Sequence, residues 1–203
     1  MAEQTGLIDE LTCNSVATAC HDLKRLQHEG FNLYLSVNFS ATQLCSKQVL
    51  MRLEQILKAH HISPSVIRIE ITESTLIQNK EHAIQNMNEL RGAGFQIYLD
   101  DFGTGYSSLK YIQDFPLDAI KIDRSFVFNI GKNKNTAIID TIITLAESLN
   151  VICIAEGVET TLQRDYLLSK NCYFMQGYLY SKPLPAEQLI VKLLSFTEIA
   201  DLG

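Results

Sequence analysis

Apolar residues along the chain fall into two alternating patterns. Six short runs rich in Val, Ile, Leu and Tyr have strand length: residues 33–38 (LYLSVN), 66–71 (VIRIEI), 96–101 (QIYLDD), 117–123 (LDAIKID), 151–156 (VICIAE) and 173–178 (YFMQGY). Between them the spacing turns helical. Leu7, Leu11, Val16, Leu23 and Leu26 recur on one face before Gly30 closes the segment. Leu50, Leu53, Ile56 and Leu57 form a second stripe, Ile138, Ile142, Leu145 and Leu149 a third, and two further helices are predicted at 81–91 and 161–170. Strands that alternate with helices imply parallel βαβ units with right-handed crossovers, which places every strand's carboxyl end on one face. No Ser-rich, Pro-rich or charged linker interrupts the series, so residues 1–203 are expected to form a single domain.

Six such units can build a doubly wound open sheet or most of a (β/α)8 barrel. The open nucleotide-binding sheet calls for a Gly-rich first turn, yet no G-x-G-x-x-G follows LYLSVN and no G-x-x-x-x-G-K-[ST] occurs anywhere. The expectation is an α/β fold of the TIM-like (β/α) barrel kind, with about six strands present.

Near the carboxyl end of each apolar run stands a polar or ionisable residue: Asn38, Glu70, Asp100 with Asp101, Lys121, Glu156 and Gln176. In a barrel these ends converge on one site, where carboxylates from several strands repel one another unless something positive holds them. Oxygen donors of this kind suit Mg²⁺ or Mn²⁺. Adjacent aspartates can bridge two ions about 3.5–4 Å apart, the arrangement that activates water for phosphate-ester hydrolysis.

Each residue also has an ordinary structural role open to it. Asp101 before FGTG can shape a turn, Lys121 can extend its ammonium to solvent over an apolar stem, and Gln176 can precede the turn at Gly177. Their occurrence at six corresponding positions favours a site. A glycosidase with Glu70 and Glu156 as its acid and nucleophile is the competing class. It accounts for neither the aspartate pair nor Lys121, and the chain has no tryptophan for a sugar platform. The segment Gly103-Thr104-Gly105-Tyr106-Ser107-Ser108 reads either as an ordinary βα turn or as a mobile loop beside the metals.

Composition narrows the partners. With 17 Lys and Arg against 23 Asp and Glu, the formal charge is −6, which argues against a nucleic-acid polymer. The five cysteines are scattered, form no C-x-x-C pair and read as reduced core residues. The five histidines fall on predicted helices or loops, none at a strand end, so none is assigned to metal or acid–base work. No apolar run approaches the ~18 residues of a membrane span, and MAEQTG does not resemble a signal peptide, so a cytoplasmic protein with no membrane span is expected.

The motifs SVNFSATQL, IEITES, LDDFGTGYSSL, LDAIKIDRSFV, IAEGVET and MQGYLYSKPLP together resemble the EAL-domain family, bacterial cyclic di-GMP phosphodiesterases that linearise the dinucleotide to pGpG. The resemblance implies that Asn38, Glu70 and Asp100 hold a first Mg²⁺ or Mn²⁺, with Asp100 bridging to a second ion held by Asp101 and Glu156. It implies that Lys121 holds and polarises the attacking water, with Gln176 supporting the same cluster. Glu73 is similar to the family glutamate that anchors the loop Phe102, Gly103, Thr104, Gly105, Tyr106, Ser107 and Ser108, through which regulation is expected to pass. Pro183, in the stretch KPLP, resembles the family segment near a guanine of the ligand.

The chain departs from the family in having no Glu-Ala-Leu tripeptide. Two N-terminal strands, about 45 residues if a barrel needs about 250, are therefore expected to be absent. The motif glutamate that is a ligand of the first metal and an arginine that contacts substrate phosphate are expected to be missing with them, and Glu3 aligns elsewhere. Two expectations follow. Either the chain is a truncated phosphodiesterase module with low or no activity by itself, or it is a degenerate member serving as a cyclic di-GMP receptor or protein-interaction module. An open strand edge at 33–38 is expected to favour a homodimer, strand swapping or a covering partner domain.

Overall fold

The computed structural model describes residues 7–77, 80–104, 112–132 and 136–200. Its centre is a six-stranded parallel sheet of β1 (Leu35–Phe39), β2 (Ile67–Thr72), β3 (Gln96–Phe102), β4 (Ala119–Ile122), β5 (Ile152–Ala155) and β6 (Phe174–Met175), in the order of the sequence. A doubly wound sheet reverses its order at a switch point; an unbroken sequential order is that of a singly wound barrel. The expected TIM-like α/β architecture is therefore the one observed. Among the described residues β1 and β6 are each paired on one side only.

Helices α1 (Leu7–His28), α2 (Ala41–Leu44), α3 (Lys47–Ala59), α4 (Glu73–Ile77), α5 (Lys80–Gly92), α6 (Arg124–Val127), α7 (Ala137–Ser148), α8 (Thr161–Ser169) and α9 (Ala186–Ala200) fill the connections. Strand residues of one parity, including Ile69, Ile97, Leu99 and Ile120, are fully buried against Leu23, Leu53 and the other apolar helix faces. Residues of the opposite parity face the barrel interior, where Tyr98, Ala119 and Ile154 form a small buried cluster of their own. Among the described residues no helix is long and apolar enough to cross a membrane.

The last three strands are shorter than the apolar runs predict. Backbone pairing nevertheless continues past their ends, since Glu156 N–H donates to Ile122 C=O (3.1 Å) and Gln176 N–H to Ala155 C=O (2.9 Å). Helix α9 was not evident from the sequence pattern. It begins after Pro185, whose carbonyl accepts from Leu189 N–H (3.0 Å), and Glu187 lies 3.7 Å from Arg25 on α1.

Gly177, immediately after Gln176, packs against the backbone of Val158. A β-carbon placed on Gly177 would lie 2.2 Å from Val158 O and 2.3 Å from Val158 N. Backbone cannot yield as a side-chain tip can, and Val158 is fixed by hydrogen bonds to Gln176 O and from Leu179 N (both 3.0 Å). Gly177→Ala is expected to lower unfolding free energy by about 3 kcal/mol, read as a drop in the urea midpoint.

Candidate metal and phosphate site

The site is built at the carboxyl ends of the strands around one lysine. Lys121, on the interior face of β4, is 3% exposed. Its Nζ lies 2.7 Å from Glu70 on β2, 3.1 Å from Asp100 on β3 and 2.6 Å from Glu156 just beyond β5. Burial alone would pull the Lys121 pKa down, but hydrogen bonds to Glu156 and Glu70 outweigh it and hold the ammonium above its ordinary value. Gln176, just beyond β6, donates Nε2–H to the same Glu156 oxygen at 2.6 Å.

The two aspartates reach this centre by an irregularity. Successive side chains of a regular strand point to opposite faces, so Asp100 and Asp101 should not share a site. Between Leu99, opposite Ile120, and Phe102, opposite Ile122, the register of β3 shifts by an extra residue. Asp101 takes a left-handed φ of 53° there, and its N–H donates to Asp100 Oδ1 (3.0 Å). This bulge re-aims the pair, and oxygens of Asp100, Asp101 and Glu156 all lie within 4.8 Å of one another.

Desolvation, then the charge of Asp100, push the Asp101 carboxyl above its usual range. Burial likewise raises Glu156 despite Lys121 beside it. In both, loss of water is the larger cause and neighbouring carboxylates add to it. One ammonium cannot neutralise four acids, and the donor set is all hard oxygen, so these residues fit a divalent cation.

Asn38 pairs in register with Glu70, but its side chain is exposed and lines a separate cavity of about 450 Å³ with Ser40, Thr42 and Thr72. Glu73, 4% exposed on α4, accepts Gly103 N–H at 3.4 Å. Phe102 is the buried last residue of β3 and so belongs to the core; Gly103 and Thr104 follow it, while Gly105, Tyr106, Ser107 and Ser108 lie outside the described residues. Pro183 lines a cavity of about 580 Å³ together with Glu156, Gln176, Arg124 and Lys182.

Asp123 was missed by the sequence reading. It lies two residues after Lys121, its charge adds to the upward push on the Asp101 carboxyl, and it caps α6 through Ser125 N–H (3.0 Å). The period of two along LDAIKID could have pointed to it. The cysteines follow expectation at Cys13, Cys20 and Cys172, which are buried, whereas Cys45 is exposed and Cys153 half-buried; all five are free thiols.

A sequentially wound parallel barrel sheet, with clustered carboxylates about a buried lysine at its carboxyl ends, defines a β/α-barrel protein with an acidic site at the strand ends. The chain belongs to the EAL domain family, which matches residues 1–183. It is 37% identical over 191 residues to the cyclic di-GMP phosphodiesterase NbdA of Pseudomonas aeruginosa, covering 93% of this chain and 24% of that protein. It is 38% identical over 186 residues to the cyclic di-GMP phosphodiesterase PdeR of Escherichia coli, covering 91% and 28%. The chain thus spans about a quarter of the length of these curated relatives.

Among solved structures, the EAL domain of Mycobacterium smegmatis DcpA superimposes with a TM-score of 0.86 at 35% identity, over 93% of this chain and 86% of that one. The PaMucR phosphodiesterase in complex with c-di-GMP gives 0.85 at 36% identity, over 93% and 77%. The Klebsiella pneumoniae BlrP1 complex with manganese and cy-diGMP gives 0.75 at 30% identity, over 86% and 45%.

Proposed function

We propose that this chain carries cyclic di-GMP phosphodiesterase chemistry, hydrolysing one phosphodiester bond of the dinucleotide to give pGpG with Mg²⁺ or Mn²⁺ bound. The observation that carries the reading is the meeting of Glu70, Asp100 and Glu156 on Lys121, with Asp101 beside them, in an EAL fold.

Asp100, Asp101 and Glu156 would hold the cation on one side, and Glu70 on β2, which adjoins β3, with Asn38 on β1, paired in register with Glu70, would extend the donor set. A bound divalent cation supplies charge for the phosphate oxygens and a lowered pKa for water. Lys121 keeps a full positive charge beside the attack position, where it can hold a water or hydroxide by hydrogen bonding and stabilise charge developing on phosphorus-bound oxygen. Gln176 fixes which Glu156 oxygen remains free. The cavity with Arg124, Lys182 and Pro183 offers cations and a flat apolar surface beside the acids, as a guanine nucleotide requires.

The glycosidase alternative fares worse. Glu70 and Glu156 both bind the same ammonium, which occupies the space a sugar ring would need between acid and nucleophile.

The test is incubation with cyclic di-GMP and Mn²⁺, followed by chromatography for pGpG. Slow product formation is expected from the chain, which lacks the motif glutamate of the first ion, and Glu70→Gln is expected to reduce it further by about a hundredfold or more, since even outer-shell changes cost ten- to a hundredfold. Unchanged hydrolysis in Glu70→Gln overturns the ligand assignment. Micromolar binding without product favours a receptor role, and neither binding nor product overturns the proposal.

A further inference from the structure

The cavity of about 580 Å³ beside the acids holds one charged group that the chemistry above does not use, Glu159. It stands between β5 and α8, and its exposed carboxylate has no hydrogen-bond or ion-pair partner among the described residues. Arg124 and Lys182 line the same cavity, yet neither pairs with it. The segment that carries Glu159 is held in place. Its N–H donates to Gln163 Oε1 (2.7 Å), which also accepts from Thr160 N–H (3.0 Å), and Gln163, 5% exposed, donates to Val127 C=O (3.2 Å). Just upstream Gly157 packs on Arg124, where a β-carbon would lie 2.6 Å from Arg124 Cβ. An aromatic face completes the cavity: Tyr178 is exposed, with Lys182 Nζ 5.7 Å from its ring centroid.

We propose that Glu159 reads the base of the bound nucleotide and selects guanine. This rests on the phosphodiesterase reading, which supplies a cyclic dinucleotide as ligand, and adds the group that chooses its base. A carboxylate accepts hydrogen bonds and donates none. It repels a phosphate, so in a cavity for an anionic ligand it needs a partner that presents donors. Guanine alone among the common bases sets two adjacent donors, N1–H and the 2-amino group, on its pairing edge, and a carboxylate accepts both in parallel. Adenine turns the N1 lone pair toward the same oxygens. Acceptor then faces acceptor, both stay unpaired, and the wrong base is rejected more strongly than a merely missing contact would achieve. Arg124 and Lys182 are left to serve the phosphates, and the Tyr178 ring offers a face for the base plane.

The test is titration calorimetry of the 203-residue chain with cyclic di-GMP and with cyclic di-AMP, both in Mn²⁺. The parent is expected to favour the guanine ligand by about a hundredfold or more. Glu159→Ala is expected to weaken cyclic di-GMP by about ten- to a hundredfold, the worth of hydrogen bonds to a charged group, and to leave cyclic di-AMP unchanged. Glu159→Gln exchanges one acceptor for a donor and so suits the N1 and 6-amino pair of adenine. It is expected to bind cyclic di-AMP more tightly than the parent does. Both variants should keep the parent's urea midpoint, because the side chain is exposed. A parent that binds both dinucleotides alike, equal weakening of the two ligands, or a guanine preference that survives both substitutions overturns the assignment of Glu159 and leaves the phosphodiesterase reading standing. A parent that binds neither dinucleotide overturns both.

Discussion

Lys121→Met is expected to lower the free energy of unfolding by about 3–5 kcal/mol, measured as a reduced denaturant midpoint in metal-free buffer. The side chain is of similar length, so little packing is lost. What is lost is the one cation that three carboxylates share: Glu70 at 2.7 Å, Asp100 at 3.1 Å and Glu156 at 2.6 Å. Glu70 is 6% exposed and cannot recover that energy from water. The Lys121 shift has a definite sign. A lysine held above its unfolded value of about 10.4 contributes stability that is complete below that pH and disappears only as pH rises through the higher folded value, so the parent keeps the whole contribution at neutral pH. Turnover of cyclic di-GMP is expected to fall with it, by about a hundredfold or more, because the ammonium also faces the attacking water in the proposed reaction. A midpoint equal to that of the parent would show that the cluster is not held by charge.

Asp101→Asn should move stability and function in opposite directions. A carboxyl raised above its unfolded pKa favours the folded state below that pKa, and the advantage is lost as pH rises through the folded value; at neutral pH its charge is a burden on the metal-free fold. Asparagine removes the charge, keeps the shape and tolerates the left-handed backbone at φ 53°. The gain in the metal-free protein is expected to stay under about 1 kcal/mol, since Asp101 is exposed and solvent screens it. Stabilisation by Mn²⁺, seen as a rise in Tm on titration, should shrink sharply, and pGpG formation should fall by about a hundredfold or more. A variant as responsive to Mn²⁺ as the parent would place the cation elsewhere.

The sequence made some of this site legible because strand ends obey a simple rule. Once six parallel runs are recognised, Glu70, Asp100, Lys121, Glu156 and Gln176 must approach one another, and the structure brings them together. The same rule breaks at Asp101. Strict alternation sends Asp101 to the wrong face, and only the register shift against β4 returns it, a property of strand pairing that no local pattern contains. Asp123 was hidden for the converse reason: it obeys alternation after Lys121, but a capping aspartate before a helix is so common that its effect on Asp101 gives no separate local signal.

The sheet order has a kinetic consequence. Because every strand among the described residues pairs only with its sequence neighbours, each βα unit can dock on the one already formed. The ladders are longest at β1–β2 and β2–β3 and shrink to two rungs at β5–β6. Glu70 and Asp100 therefore sit on the longest ladders, while Gln176 across the site is held by hydrogen bonds that carry the pairing beyond β5 and β6, from its N–H to Ala155 C=O and from Val158 N–H to its own C=O.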